Sequence, residues 1–107
     1  MSIYYSSLKF LNFSDQINAI AKGGIVTPVH IRVKPMNLCN HNCWYCAYRT
    51  DNVALGDDMN DRDQIPKEKM VELAHEFVDM GVKAVTFSGG GEPLLYKPLP
   101  EIIKILA

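Results

Sequence analysis

The chain has 107 residues, of which 48% are hydrophobic and 21% are charged, and its formal net charge is −1. This length accommodates one domain, and the composition is that of an ordinary globular protein. The near-neutral charge leaves no basic surface for nucleic acid, and the absence of a long apolar run argues against a membrane-spanning helix.

The N-terminal segment has no basic leader followed by an apolar core, so we expect no signal peptide and a cytoplasmic location. Thiols stay reduced in that compartment. All three cysteines lie within residues 39–46, CNHNCWYC. Such a cluster in a reducing compartment indicates metal binding or catalysis rather than disulfide bonds.

The first predicted element is a short helix over residues 14–24, SDQINAIAKGG. Ser14 is its candidate N-cap, and Gly23 suits its C-terminal end. Three apolar residues at spacings of three and four share one face of this helix: Ile17, Ile20 and Ala21.

A strand is predicted at residues 29–35, VHIRVKP, because hydrophobic and polar residues alternate until Pro35 ends the pattern. The cysteine-containing segment follows directly. Residues 50–64 carry turn residues and charges without a regular period, so we predict a loop there.

The clearest predicted helix covers residues 66–81, PKEKMVELAHEFVDMG. Pro66 suits its first turn, and Gly81 suits the position after its last turn. A predicted apolar stripe along this helix comprises Met70, Leu73, Phe77 and Met80, widened by Val71, Ala74 and Val78.

A second strand is predicted at residues 82–88, VKAVTFS, with the β-branched composition of a buried parallel strand. Residues 99–107, LPEIIKILA, begin another helix. The order strand, loop, helix, strand, loop, helix predicts an α/β fold with parallel strands and crossover helices. CNHNCWYC and GGGEP, residues 89–93, each follow a strand, at the sheet edge where α/β folds carry their active sites.

The cysteines have the spacing C-x3-C-x2-C, at Cys39, Cys43 and Cys46. A structural zinc site takes four ligands, and His41 could supply the fourth if the loop brought it into place. A four-iron cluster also normally takes four cysteines. Three thiolates would leave one iron open to a substrate or a second cofactor, so both kinds of site stay open on spacing alone.

The cysteine spacing, with the aromatic Tyr45 before the last cysteine, resembles the signature of radical S-adenosylmethionine (SAM) enzymes. GGGEP resembles the Gly-Gly-Glu-Pro motif of that family. The resemblance covers about residues 29–107. It implies a 4Fe-4S cluster on the three cysteines, SAM as a second cofactor, and the start of a partial, TIM-like β/α barrel.

The resemblance also implies roles for single residues. Tyr45 would lie beside the adenine of SAM. The second motif would meet the amino group of the methionine moiety through Gly89, Gly90, Gly91, Glu92 and Pro93. The common family form has two glycines before the glutamate, so the contact of Gly89 stays open. Glu92 can accept charge-assisted hydrogen bonds from an ammonium group.

The implied activity is reductive cleavage of SAM to a 5′-deoxyadenosyl radical, which abstracts hydrogen from an unidentified peptide, protein or small-molecule substrate. It needs an electron donor. The alternative hypothesis is a non-catalytic metal-binding or assembly module with an iron–sulfur or zinc site.

We predict a lead-in over residues 1–28 and the first βαβα part of a radical SAM core domain over residues 29–107. A strand–helix unit takes roughly 30 residues, whereas a whole barrel takes about 250. We therefore expect an incomplete barrel with exposed sheet edges. The isolated chain would either associate with itself or with a partner chain, or be inactive.

Overall fold

The computed structural model describes residues 7–49 and 56–107. The predicted loop at residues 50–64 therefore lies partly outside the described residues. In chain order the elements are a 3₁₀ helix (Lys9–Phe13), α1 (Ser14–Ala21), β1 (His30–Val33), α2 (Lys67–Asp79), β2 (Ala84–Phe87), a 3₁₀ helix (Pro93–Leu95) and α3 (Leu99–Leu106).

Strands β1 and β2 pair in parallel, with His30 opposite Ala84 and Val33 opposite Phe87. This confirms the predicted α/β arrangement of parallel strands with an intervening helix. The prediction that the second strand is buried is wrong, because exposure alternates along Ala84–Phe87. Among the described residues, helices cover only one face of this two-stranded sheet, so the other face stays open.

The core lies between the covered face of the sheet and helices α2 and α3. Among the side chains buried there, Met70, Ala74 and Ile102 have no exposed surface. The Tyr96 hydroxyl donates a hydrogen bond of 2.7 Å to the Ile65 carbonyl, which ties the segment before α3 to the segment before α2. The remaining buried hydrophobic residues are Val33, Met36, Phe77, Tyr96 and Leu99.

The apolar stripe of α2 is centred differently from the prediction. Ala74, expected only to widen the stripe, is buried between Met70 and Phe77. Met80, expected within the stripe, is 44% exposed. Met80 is the C-cap residue, beyond the last helical turn that α3 packs against.

Two of the predicted helix ends also differ. Ser14 does not cap α1, because residues 9–13 already form a 3₁₀ helix and Ser14 itself has helical dihedral angles. Pro66 is the N-cap of α2 rather than a residue of its first turn. The predicted glycine ends are confirmed, since Gly23 and Gly81 have φ of 78° and 75°, the left-handed values that favour glycine.

Beside β2 lies an open apolar cavity of about 380 Å³ between α2, β2 and α3. Its lining includes Phe77, Val82, Val85, Phe87 and Ile103. No helix within the described ranges is long and apolar enough to cross a bilayer.

Candidate cofactor site

Both motifs leave the sheet at the same point. Val33 and Phe87 are the last residues of β1 and β2 and lie opposite each other. The Ser88 amide donates to the Val33 carbonyl over 2.9 Å, so the pairing continues one residue past β2. The predicted placement of the cysteine loop and the glycine run at one sheet edge is confirmed, because parallel strands end on the same side.

The glycine run packs directly against the start of the cysteine loop. The Glu92 amide donates to the Leu38 carbonyl over 2.8 Å. A side-chain carbon at Gly91 would lie 2.6 Å from the Asn37 carbonyl carbon, and one at Gly90 would lie 3.2 Å from Asn37 Oδ1. Glycine is therefore required at Gly91 for the two backbones to approach this closely, whereas a side chain at Gly90 would meet the side chains of Asn37 and Met59.

The third glycine has a different role. Gly89 has φ of 155°, which residues with side chains rarely adopt, and a carbon added there would lie 3.3 Å from Lys34 Cβ. Gly89 thus turns the chain out of β2 and over the residue that follows β1. Its predicted contact with a ligand stays a prediction.

Glu92 is held at the N-terminus of the 3₁₀ helix Pro93–Leu95. Its Oε1 accepts a hydrogen bond of 2.9 Å from the Leu94 amide, and Pro93 occupies the first position of that helix. Its Oε2 lies 3.3 Å from His41 Nε2, in the middle of the cysteine loop. One carboxylate oxygen is therefore held by the backbone, and the other lies against His41 of the cysteine loop.

The three cysteines are free thiols. Cys39 and Cys46 are half-buried, and Cys43 is exposed. The Cys46 amide donates to the Cys43 carbonyl over 3.0 Å, and the His41 amide donates to Cys39 Sγ over 3.4 Å. Across residues 7–49 and 56–107, no three His, Cys, Asp or Glu side chains are gathered closely enough to hold a metal ion.

The donor set nevertheless fits an iron–sulfur cluster. Its members are unpaired thiols from a single loop, and thiolates are the usual ligands of such clusters. The loop must contract to bring the three sulfurs together. All three belong to one eight-residue segment that lies outside the sheet and α2.

The aromatic residues of the loop point into solvent. Tyr45 is 71% exposed and Trp44 is 87% exposed. Their rings meet edge to face with centroids 5.5 Å apart. The prediction that Tyr45 lies beside adenine is untested by this arrangement, which leaves the ring free to cover a ligand.

Two cations that the sequence analysis did not single out hold the loop to the scaffold. Lys34 Nζ donates to the Tyr48 hydroxyl and lies 4.8 Å from the centre of that ring. Arg49 donates to the Asn37 carbonyl over 3.1 Å and to Asp61 over 3.0 Å. Neither cation has a spacing pattern in the sequence that would predict its partner.

Comparison with known proteins agrees with the two motifs. The family model of the Radical SAM superfamily matches residues 33–107. A probable GTP 3′,8-cyclase of Archaeoglobus fulgidus is 36% identical over 81 residues, which cover 76% of this chain and 24% of that protein.

A GTP 3′,8-cyclase of Helicobacter pylori is 36% identical over 74 residues, covering 69% of this chain and 22% of that protein. The [FeFe] hydrogenase maturase subunit HydE of Thermotoga maritima is 34% identical over 77 residues, covering 70% of this chain and 20% of that protein. The chain thus aligns with about a quarter or less of the length of these relatives, and no solved structure matches it. The family match spans most of the chain and both motifs, and the chain belongs to the radical SAM superfamily.

Proposed function

We propose that this chain is the cofactor-binding portion of a radical SAM enzyme. A 4Fe-4S cluster would bind through Cys39, Cys43 and Cys46, and SAM would bind between that cluster and residues 89–93. The chemistry these cofactors supply when bound is reductive cleavage of SAM, with an electron from an external donor, to a 5′-deoxyadenosyl radical that abstracts hydrogen from a substrate.

The observation that carries this proposal is the direct contact between the two motifs. The Glu92 amide is bonded to the Leu38 carbonyl, one residue before Cys39. A structural zinc site would need only its own ligands. A site that binds both a cluster and an amino acid moiety also needs an acceptor for the amino group, and Glu92 would supply it next to the cysteine loop. Family membership supports the same assignment.

The chain's own residues would bind and orient the ligands. Glu92 Oε2 is placed to accept a hydrogen bond from an ammonium group, and such charge-assisted bonds are the strong ones. Gly90 and Gly91 keep side chains out of the space between the loops. Tyr45 would lie over the adenine.

The partial barrel is a further part of the proposal. Residues 29–107 would supply its first two strand–helix units, after a lead-in over residues 1–28. The open sheet face and the apolar cavity beside β2 are surfaces that further strands, a second copy or a partner chain would cover. Sedimentation of the isolated chain tests this, since a monomer at high concentration argues against self-association.

An anionic small molecule is the substrate class that one observation favours. Exposed His30 and Arg32 lie on the open face of β1, exposed Lys34 follows that strand, and β2 carries no carboxylate. Two of the relatives are named as cyclases of GTP, which is itself an anionic small molecule. Arg32→Ala should weaken the binding of GTP more than that of guanosine, as measured by calorimetry.

The second candidate function is a metal-binding or assembly module without turnover. It would use the same three free thiols as ligands. Cleavage of SAM to methionine and 5′-deoxyadenosine by the reduced, cluster-loaded chain would exclude this candidate. Cluster binding without cleavage of SAM would favour either this candidate or an enzyme portion that is inactive in isolation.

The experiment that tests the proposal is anaerobic reconstitution with iron and sulfide, followed by metal analysis. We expect about four irons per chain, since that is the cluster the thiolate set would hold. Each of Cys39→Ser, Cys43→Ser and Cys46→Ser should lower the iron content severalfold. His41→Ala should retain iron, and bound zinc lost in His41→Ala would instead identify a zinc site.

A further inference from the structure

We infer that His41 occupies, in the ligand-free protein, the position at Glu92 that the amino group of the ligand takes on binding. This inference rests on the proposed function, because the amino group is that of SAM. His41 thus competes with the ligand for Glu92, a role that its position in the sequence does not predict.

Glu92 has one carboxylate oxygen available to a ligand. Oε1 is committed to the Leu94 amide at 2.9 Å, and the backbone of Glu92 is fixed by the Leu38 carbonyl at 2.8 Å. Oε2 lies 3.3 Å from His41 Nε2. The oxygen that faces the cysteine loop is therefore the one that His41 covers.

The contact between His41 and Glu92 is easily displaced. The 3.3 Å separation is longer than the 2.7–2.9 Å of a charge-assisted hydrogen bond. The side chain of His41 is 58% exposed, while that of Glu92 is 23% exposed. The carboxylate is held by its surroundings and the imidazole is not, so an ammonium group with three donors can replace the imidazole while Glu92 stays in place.

His41 belongs to the cysteine loop, which must contract to bring the three sulfurs together. Its amide donates to Cys39 Sγ over 3.4 Å, and it lies midway between Cys39 and Cys43. The imidazole is therefore held by this loop and not by the sheet or α2, so it can leave Oε2 while Glu92 stays in place.

The inference predicts a preference that depends on the ligand's amino group. In a variant without the His41 imidazole, the amino group of the ligand does not have to displace a side chain from Oε2. Such a ligand should therefore bind more tightly to the variant than to the wild type. An exposed polar contact of this kind contributes up to about 1 kcal/mol, which corresponds to a gain of up to about fivefold in affinity. A ligand without the amino group leaves Oε2 alone and should bind equally to both proteins.

The test compares S-adenosylhomocysteine with its deaminated analogue by calorimetry on the cluster-loaded chain. For His41→Ala we expect affinity for S-adenosylhomocysteine to rise two- to fivefold and affinity for the analogue to stay unchanged. His41→Gln keeps a donor that can reach the carboxylate and should restore the wild-type ratio. His75→Ala, on the exposed face of α2, is the matched control and should leave both affinities unchanged.

The outcomes separate the inference from the proposed function. If the wild-type chain loads a cluster and binds S-adenosylhomocysteine, but His41→Ala changes neither affinity or lowers both, the inference is wrong and the proposed function stands. If the wild-type chain loads no cluster or binds neither ligand, both are overturned.

Discussion

Two regions of the molecule are stabilised by different interactions: the packed helices α2 and α3, which form the helical side, and the sheet edge with the cysteine loop and Glu92, which forms the cofactor edge. Met70, Ala74 and Ile102 have no exposed surface between α2 and α3. In the cysteine loop, Trp44 and Tyr45 are mostly exposed, and the contacts to the scaffold are polar. The scaffold is stabilised by burial of apolar side chains. The geometry of the site depends instead on the close backbone contact at Gly91 and on single hydrogen bonds. Variants should therefore separate stability from cofactor binding.

The largest expected effect is on the helical side. Ile102→Ala removes a fully buried side chain and should lower the free energy of unfolding by about 2–5 kcal/mol. Ile103, its neighbour in α3, is 49% exposed, and Ile103→Ala should cost much less. Denaturant unfolding measures both variants, and equal losses would contradict the core described above. Iron loading by the folded fraction should be unchanged in each.

The next effect lies at the cofactor edge. Gly91→Ala places a carbon 2.6 Å from the Asn37 carbonyl carbon and should cost about 1–3 kcal/mol through overpacking. It should also separate Glu92 from Leu38 and abolish binding of S-adenosylhomocysteine.

The matched control for that variant is Gly81→Ala. Gly81 has φ of 75° and no atom within 4 Å of an added carbon, so alanine there costs only the left-handed strain of about 1–2 kcal/mol. Ligand binding should be unaffected. If both variants lose binding equally, the close approach of the two loops is not what positions the ligand.

A smaller effect is expected at Tyr96. Tyr96→Phe removes the 2.7 Å hydrogen bond to the Ile65 carbonyl and should cost about 1 kcal/mol. Burial raises the pKa of the Tyr96 phenol above 10.0. Because the folded state holds this proton more tightly than the unfolded state, the associated stability is present below pH 10.0 and is lost as the pH rises further. Urea titrations at pH 9 and 11 should show a smaller alkaline loss for Tyr96→Phe than for the wild type.

The smallest effect concerns the polar contacts of the loop. Arg49→Ala removes the bonds to Asn37 and Asp61 and should change stability by less than about 1 kcal/mol, because the ion pair with Asp61 is exposed to solvent. The same variant should speed the reaction of Cys46 with a thiol reagent, as measured by mass spectrometry. Arg62→Ala, at an exposed arginine of the neighbouring segment, should leave that rate unchanged.

The sequence was sufficient for the order of elements and for the meeting of the two motifs. Alternation in residues 29–35 and β-branched residues in 82–88 predict strands, and the helix between them requires the strands to be parallel. Parallel strands end on the same side, so the cysteines and the glycine run had to share an edge. The match to the superfamily confirms what the two motifs together indicate.

The contacts within the site could not be predicted. The pairing of His41 with Glu92 and of Arg49 with Asp61 depends on where loops pass one another, and neither pair has a periodic spacing. Residues 9–13 displaced the predicted cap at Ser14 because they form a 3₁₀ helix without an obvious sequence signal. The extra glycine, Gly89, is explained only by its φ of 155° at the end of β2.

The central claim is that the cysteine loop and Glu92 form one site for two cofactors. The most direct measurement is the electron paramagnetic resonance spectrum of the reduced, cluster-loaded chain with and without SAM. We predict that SAM changes the spectrum of the wild type. In Glu92→Gln, which keeps the acceptor for the Leu94 amide but loses the charge, the change should be much weaker at equal iron content. A cluster that depends on all three cysteines and whose spectrum SAM leaves unchanged would contradict the account.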